Sequence, residues 1–194
     1  MTVSQFHNLL GYLWAALGIY WIWSARQKRR VEVGEANAFR LLRLSILVIT
    51  FVLLLGNEIP LGPLDGKFLR ENWTLRWASA ALTLLGIALT VWARNHLGSN
   101  WSDKVEIQEN HQLIHTGPYA SFRHPIYSGV LTAIAGTAMA MGKWRCLIAF
   151  LLLLTSYAIK AKKEERVLEL AFGDAYKRYE RTTGFLLPRF WGHS

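Results

Sequence analysis

The chain has 194 residues, 52% of them hydrophobic, with nine Trp, one Cys and a formal net charge of +9. Its charges gather between long apolar runs instead of mixing through them, which excludes an ordinary soluble globule and places the runs in lipid. The Lys and Arg lie beside those runs, so an anionic membrane surface accounts for the basic balance and nucleic acid is excluded as a partner.

Five apolar spans follow in chain order, and they predict an all-α integral membrane protein with a single domain. The first covers Phe6–Ala25 and is rich in Trp and Tyr, residues that favour the membrane–water interface. It lacks a basic leading region and is followed by Arg26, Lys28, Arg29 and Arg30, the order of a retained anchor and not of a cleaved signal. The second covers Phe39–Asn57 and the third Leu75–Ala93. Between them, Glu58–Thr74 carries Pro60 and Pro63 and reads as a structural connection. Residues 1–93 thus hold three N-terminal helices, and residues 94–194 form the functional region. The segment Arg94–Arg123 is too long for a simple connection and is expected to work as more than a link.

The fourth span, Ile126–Gly142, and the fifth, Trp144–Ile159, are joined so tightly at Gly142 and Lys143 that they predict an antiparallel helical hairpin. Small residues recur at four-residue spacing in the fourth span, Gly129/Ala133 and Gly136/Ala140. This spacing predicts close backbone packing, within the hairpin or in a homo-oligomer. Cys146 lies inside the fifth span with no partner for an intrachain disulfide. Beyond it, Val167, Leu168, Ala171, Phe172, Ala175 and Tyr179 follow helical spacing and predict an amphipathic helix over Glu164–Thr182, interrupted at Gly173.

Lys and Arg divide seventeen to five between alternate sides of these spans. The positive-inside tendency then places the N-terminus outside, and the C-terminus and the Arg94–Arg123 segment in the cytoplasm.

Two clusters carry chemistry, and both fall on that cytoplasmic side. In the first, Gly117-Pro118-Tyr119 forms a turn and Arg123-His124-Pro125-Ile126-Tyr127 opens the fourth helix. Pro125 suits a first helical turn, whose free N–H groups favour an anion. Tyr119 and Tyr127 offer faces for a base or a cation; interfacial anchoring would use the same residue types. In the second, Lys160, Glu164 and Glu165 place ionisable groups where the last span leaves the membrane, and such groups are functional candidates. An exposed helix start is the plainer reading of the two carboxylates. His111 and His115 have a spacing found in some zinc sites but precede a Gly-Pro turn without a clear third ligand, so no metal is expected.

Taken together, Gly117-Pro118-Tyr119, Arg123-His124-Pro125-x-Tyr127-x-Gly129 and Glu164-Glu165-x-x-Leu168-x-x-x-Phe172-Gly173-x-x-Tyr176-x-x-Tyr179, arranged around a tight hairpin, resemble the isoprenylcysteine carboxyl methyltransferase family and, more distantly, the phospholipid N-methyltransferases. Leu97-Gly98-x-Asn100-Trp101-Ser102 and Gly184-Phe185-Leu186-Leu187-Pro188 extend the resemblance to about half the chain; the first two spans carry none of it. The resemblance implies a membrane enzyme that takes S-adenosylmethionine from the cytosol and a lipophilic acceptor, a lipid or small hydrophobic molecule, from the bilayer. It assigns cofactor binding to Lys104, His111, Gln112, Leu113, Ile114, Tyr119, His124, Pro125, Ile126, Tyr127 and Glu164. Asn100, Trp101 and Lys160 fall to substrate. Lys160, Glu164, Glu165 and Arg123 fall among the reacting groups. The family often has Arg at the position of Lys160, and Lys keeps the charge but loses the bidentate fork. A carboxylate acceptor needs no general base, whereas an amine would call on Glu165 or a His to take its proton. Amine methylation, a sterol-reductase-like activity and a lipid-binding scaffold are the competing readings.

Overall fold

The computed structural model describes residues 2–24, 31–33, 37–56, 59–70, 72–98, 107–108 and 113–189. Its helices are α1 (Val3–Ser24), α2 (Asn37–Leu55), α3 (Trp73–Leu97), α4 (Pro125–Met141), α5 (Trp144–Phe172) and α6 (Asp174–Thr182). Val31–Val33 pairs antiparallel with Ile107–Gln108 in a two-stranded ladder, which the sequence reading did not anticipate. Three helices, α2, α3 and α5, are long and apolar enough to cross a membrane. α4 is apolar but only 17 residues long. α1 has 22 residues, opens on polar turns and carries several Trp and Tyr side chains. The chain is a membrane protein on this evidence; α2 alone exposes Leu41, Leu42, Leu44, Val48, Ile49 and Val52, a surface that lipid would cover.

The hairpin forms as expected. α4 ends at Gly142, whose φ of 64° is the left-handed C-cap that favours glycine, and α5 starts two residues later. The small residues of α4, however, face α3 and not α5. A Cβ added at Gly136 would sit 2.6 Å from the Thr83 amide nitrogen and 2.7 Å from the Ser79 carbonyl oxygen, and one at Gly86 would sit 2.5 Å from the Gly129 carbonyl oxygen. Thr83 and Thr90 close this seam by donating to carbonyls one turn back, at 3.0 and 2.9 Å, and Trp14 of α1 donates to Thr137 at 3.0 Å. Without a hydrophobic drive between helices in lipid, such close contact is what holds them.

The helix that carries the last span does not end near Ile159. α5 runs unbroken for 29 residues to Phe172, because no Gly or Pro interrupts it until Gly173. The expected amphipathic helix is therefore the end of α5 plus the nine-residue α6, with Gly173 (φ 53°) at the break. α2 and α5 pack antiparallel. At one end Arg145, fully buried, donates to the Gly56 carbonyl at 2.9 Å. At the other, the Lys163 ammonium lies 3.2 Å from the centre of the Phe39 ring.

Gly136→Ala should force α3 and α4 apart and cost about 1–3 kcal/mol, the range for overpacking. Gly18→Ala, where an added Cβ meets nothing within 4 Å, should be neutral. The difference is read as a drop in thermal midpoint of the detergent-solubilised protein for the first variant alone.

Candidate active site

The two sequence clusters meet where the first turn of α4 faces the fifth and sixth turns of α5. Consecutive residues on a helix point about 100° apart, so Glu164 and Glu165 face different partners. Glu165 is buried, and Arg123 donates to it through Nε at 2.6 Å. Lys162 reaches its other oxygen at 2.8 Å. Arg123 Nη1 donates to the carbonyls of Thr183 at 2.7 Å and Glu180 at 3.0 Å, and Nη2 faces the Glu180 carboxylate at 3.6 Å. Glu164 instead accepts from the Tyr127 hydroxyl at 2.7 Å, with Lys160 Nζ at 3.5 Å. Lys160 is itself 5% exposed, and its ammonium lies 5.4 Å over the Tyr127 ring.

His124 stands between the two carboxylates. Its Nδ1 is 3.6 Å from Glu164 and its Nε2 3.4 Å from Glu165. The ring stacks on Tyr127 at 5.5 Å with an interplanar angle of 9°, and Tyr127 packs in turn on Tyr157 at 4.7 Å. Pro125 and Ile126 are buried in the same turn. Tyr119, buried one loop away, shares a small apolar cluster with Ile126, and Ile114 and Tyr127 pack against it. Leu113 is half-buried next to Ile114. Asn100, Trp101, Lys104, His111 and Gln112 lie outside the described residues.

Two residues of the sequence motifs, Tyr179 and Phe185, were given no site role from the sequence. Tyr179 of α6 donates to the Tyr119 carbonyl at 2.8 Å, and burial raises its phenol above the ordinary range, so it stays a neutral donor. Phe185 meets His124 edge-on at 5.4 Å and lies under Arg123 and Lys162, at 5.8 and 4.5 Å. Neither role has a local signal, since each works across a long sequence separation.

The chain after α6 forms a strap over the start of α4. Gly184 accepts from the Arg123 amide at 2.7 Å and donates to the Ser121 carbonyl at 3.0 Å, and Ser128 donates to the Leu186 carbonyl at 2.6 Å. Strap, α4 and α5 enclose a cavity of about 720 Å³, lined mainly by Leu131, Ala135, Phe150, Leu154, Leu186 and Leu187, with Ser128 and Phe185 at its polar end. Phe185 separates it from Arg123 and His124, and its size is that of a small-molecule site.

Removing Arg123 would leave Glu165 buried with only Lys162 and His124 nearby. Arg123→Ala should therefore destabilise by about 3 kcal/mol, read from thermal unfolding in detergent, and a double Arg123→Met, Glu165→Leu variant should recover most of that loss.

Comparison with known proteins agrees with this geometry. The family model described as the isoprenylcysteine carboxyl methyltransferase (ICMT) family matches residues 79–170. A probable protein-S-isoprenylcysteine O-methyltransferase from Oryza sativa subsp. indica is 28% identical over 62% of this chain and 64% of its own. Protein-S-isoprenylcysteine O-methyltransferase B from Arabidopsis thaliana is 29% identical over 57% and 58%. The Schizosaccharomyces pombe protein-S-isoprenylcysteine O-methyltransferase is 33% identical over 54% and 45%. The chain thus spans less than two thirds of the length of these relatives. Among solved structures, the eukaryotic intramembrane Ras methyltransferase ICMT matches with a TM-score of 0.51 at 24% identity, over 84% of this chain and 56% of that one. At that identity the likeness is one of fold. Over residues 79–170, which hold α4 and the carboxylates of α5, the chain is related to the isoprenylcysteine carboxyl methyltransferases.

Proposed function

We propose that this protein is an integral membrane methyltransferase that moves a methyl group from S-adenosylmethionine to the carboxylate of a lipophilic acceptor. One observation carries the reading: a carboxylate, Glu164, held at 2.7 Å by the hydroxyl of half-buried Tyr127 next to the stacked His124 and Tyr127 rings, with an apolar cavity on the far side of Phe185. A carboxylate next to aromatic faces suits a cationic donor, and the apolar cavity suits a hydrocarbon chain.

S-adenosylmethionine supplies an electrophilic methyl carbon on a sulfonium; an acceptor oxygen bonds to that carbon as the C–S bond breaks and its electron pair returns to sulfur. Glu164 faces the positive end of the donor. Tyr127 fixes the Glu164 carboxylate and, with His124, offers an aromatic wall. Leu113, Ile114, Tyr119 and Pro125–Tyr127 complete the donor pocket together with Lys104, His111 and Gln112. Lys160, with Asn100 and Trp101, orients the acceptor. No proton moves, since the acceptor is already anionic at neutral pH. Acceleration comes from aligning the two reactants and from excluding water.

In this reading Arg123 and Glu165 hold the site and do not react. Every Arg123 donor group is directed at protein oxygens, and Glu165 is shared between Arg123 and Lys162. The chain crosses the bilayer five times, with α1 and α4 as the additional spans. The N-terminus lies outside, and the site with the C-terminus lies in the cytoplasm, as the distribution of Lys and Arg argues. The α3–α4 seam consumes the small residues that could have served a homo-oligomer, so any second copy would dock on another face.

Calorimetric titration of the solubilised protein with S-adenosylhomocysteine tests the donor site. Binding is expected, with a loss of about tenfold or more for Glu164→Gln and a smaller loss for Tyr127→Phe, which keeps the ring. The absence of heat with folded wild-type protein would remove the methyltransferase reading. Mass spectrometry of the product then separates a base-labile methyl ester from a methylated amine.

A further inference from the structure

We infer that His96, in the last turn of α3, is a positioning residue for the donor pocket: it fixes the turn at residues 116–119 and the Tyr119 ring, and so sets the affinity for the donor. The inference rests on the donor reading above and adds to it a residue that has no part in the sequence motifs.

Residues 113–119 approach α4 with little regular structure of their own; the single turn Gly117–Ala120 is helical. Thr116 stands at the N-cap of that turn, yet its hydroxyl does not cap it. The hydroxyl meets His96 Nε2 at 2.8 Å instead. The next residue, Gly117, has a φ of 59°, in the region that favours glycine. An added Cβ there would come within 2.7, 2.9 and 2.9 Å of three atoms of the His96 ring. The imidazole thus lies against the Gly117 backbone. Two residues on, the Tyr119 ring stacks on His96 at 6.4 Å with an interplanar angle of 22°. One side chain of α3 therefore meets Thr116, Gly117 and Tyr119 together.

α3 is a rigid reference for this turn, because its seam with α4 leaves no room for a methyl group at Gly86. α4 carries His124, the residue before its first turn, and Tyr127. The helix that fixes α4 accordingly fixes the turn facing it. Leu97, beside His96, packs with Ile114 and Tyr127 against the cluster of Ala93, Tyr119 and Ile126. Tyr119 is then held at two points: its carbonyl by Tyr179 at 2.8 Å, and its ring by His96. Without His96, the Leu113–Tyr119 side of the pocket loses its reference to α3. The Glu164–Tyr127 and Glu165–Arg123 contacts do not involve His96 and stay in place. A pocket that is already formed loses less conformational freedom when its ligand binds. The effect falls on donor affinity and not on the chemical step, since a bound donor itself orders the turn.

The test uses the full chain in lipid nanodiscs, with calorimetry of S-adenosylhomocysteine as the deciding readout. His96→Ala should weaken that binding about threefold to tenfold, the net worth of one hydrogen bond. In methyl transfer to an N-acetylated S-isoprenylcysteine, the KM for S-adenosylmethionine should rise in parallel, while kcat at saturating donor and the acceptor KM change by less than about twofold. His96→Gln, which reaches Thr116 without the ring, should recover part of the affinity. Asn95→Ala is the control: Asn95 is the neighbour of His96 on α3 and accepts from the Tyr20 hydroxyl at 2.6 Å, so its loss should lower the thermal midpoint and leave S-adenosylhomocysteine affinity unchanged. His96 is exposed, so its replacement leaves the core intact. Should His96→Ala fold poorly, Thr116→Val removes the other partner of the same hydrogen bond and is measured in its place, with the same loss expected. An unchanged affinity in the variant measured, an equal loss in Asn95→Ala, or a fall in kcat that saturating donor does not restore overturns the assignment. If the folded wild-type protein binds no S-adenosylhomocysteine, the donor reading itself fails, and this assignment with it.

Discussion

The ion pair between Arg123 and Glu165 fixes the geometry on which the site depends. It joins the residue before the first turn of α4 to the last third of α5, and through the Thr183 and Glu180 carbonyls it ties both to the end of α6. A buried ion pair of this kind adds little net stability, because desolvating two charges offsets most of their attraction. Its effect is on position. With Glu165 committed to Arg123, the α5 helix has one rotational setting, and that setting turns Glu164 toward Tyr127 and Lys160. His124 lies within 3.6 Å of both carboxylates, so the two halves of the cluster are spaced by a single ring.

Rigid seams elsewhere let so small a contact set the geometry. α3 and α4 approach closely enough that a methyl group would not fit between them at Gly86 or Gly136. At the far end of the bundle, Arg145 binds the Gly56 and Ile59 carbonyls and lies 3.3 Å from Asp65. At the near end, Arg94 is 2% exposed and donates to the Ser24 carbonyl at 2.7 Å, closing α1 onto α3. Each knot satisfies helix-end carbonyls that have no partner within their own helix. In a low-dielectric environment an unsatisfied carbonyl is costly, so a buried arginine at such a point is a structural device before it is anything else. This distinction bears on the site, where Arg123 has the same habit of serving carbonyls.

Much of this was legible in the sequence, for identifiable reasons. Apolar runs, a two-residue turn and the Gly142 cap are local signals, and the helices they announced formed within a few residues of their expected ends. The end of α5 was misjudged because Lys160–Glu165 is a charge boundary, and a charge boundary marks the edge of a membrane and not the end of a helix. The small-residue stripe on α4 was correctly read as a packing face but given the wrong partner, since spacing along one helix says nothing about which neighbour lies against it. The motif named Arg123, His124, Tyr127, Lys160 and the two carboxylates, and the fold brings them together. The motif could not divide the labour between Glu164 and Glu165, a matter of helix rotation. It contained Tyr179 and Phe185 but gave them no role, because their contacts link residues many turns apart.

The strap at 184–187 is where the polar and the apolar parts of the site meet. Gly184 is required there in a specific sense: an added Cβ would run into the Leu187 carbonyl oxygen, so the tight bend that returns the chain toward α4 admits no side chain. Its backbone pairs with Ser121 and Arg123 on one side, while Phe185, Leu186 and Leu187 line the cavity on the other. Phe185 does both at once, touching the His124 ring and lying under the Arg123 guanidinium while it closes the polar end of the cavity. A hydrocarbon chain filling that cavity would press on the same segment that locks Arg123 to Glu165. Occupancy of the apolar side and alignment of the carboxylates would then be mechanically linked through four residues of backbone.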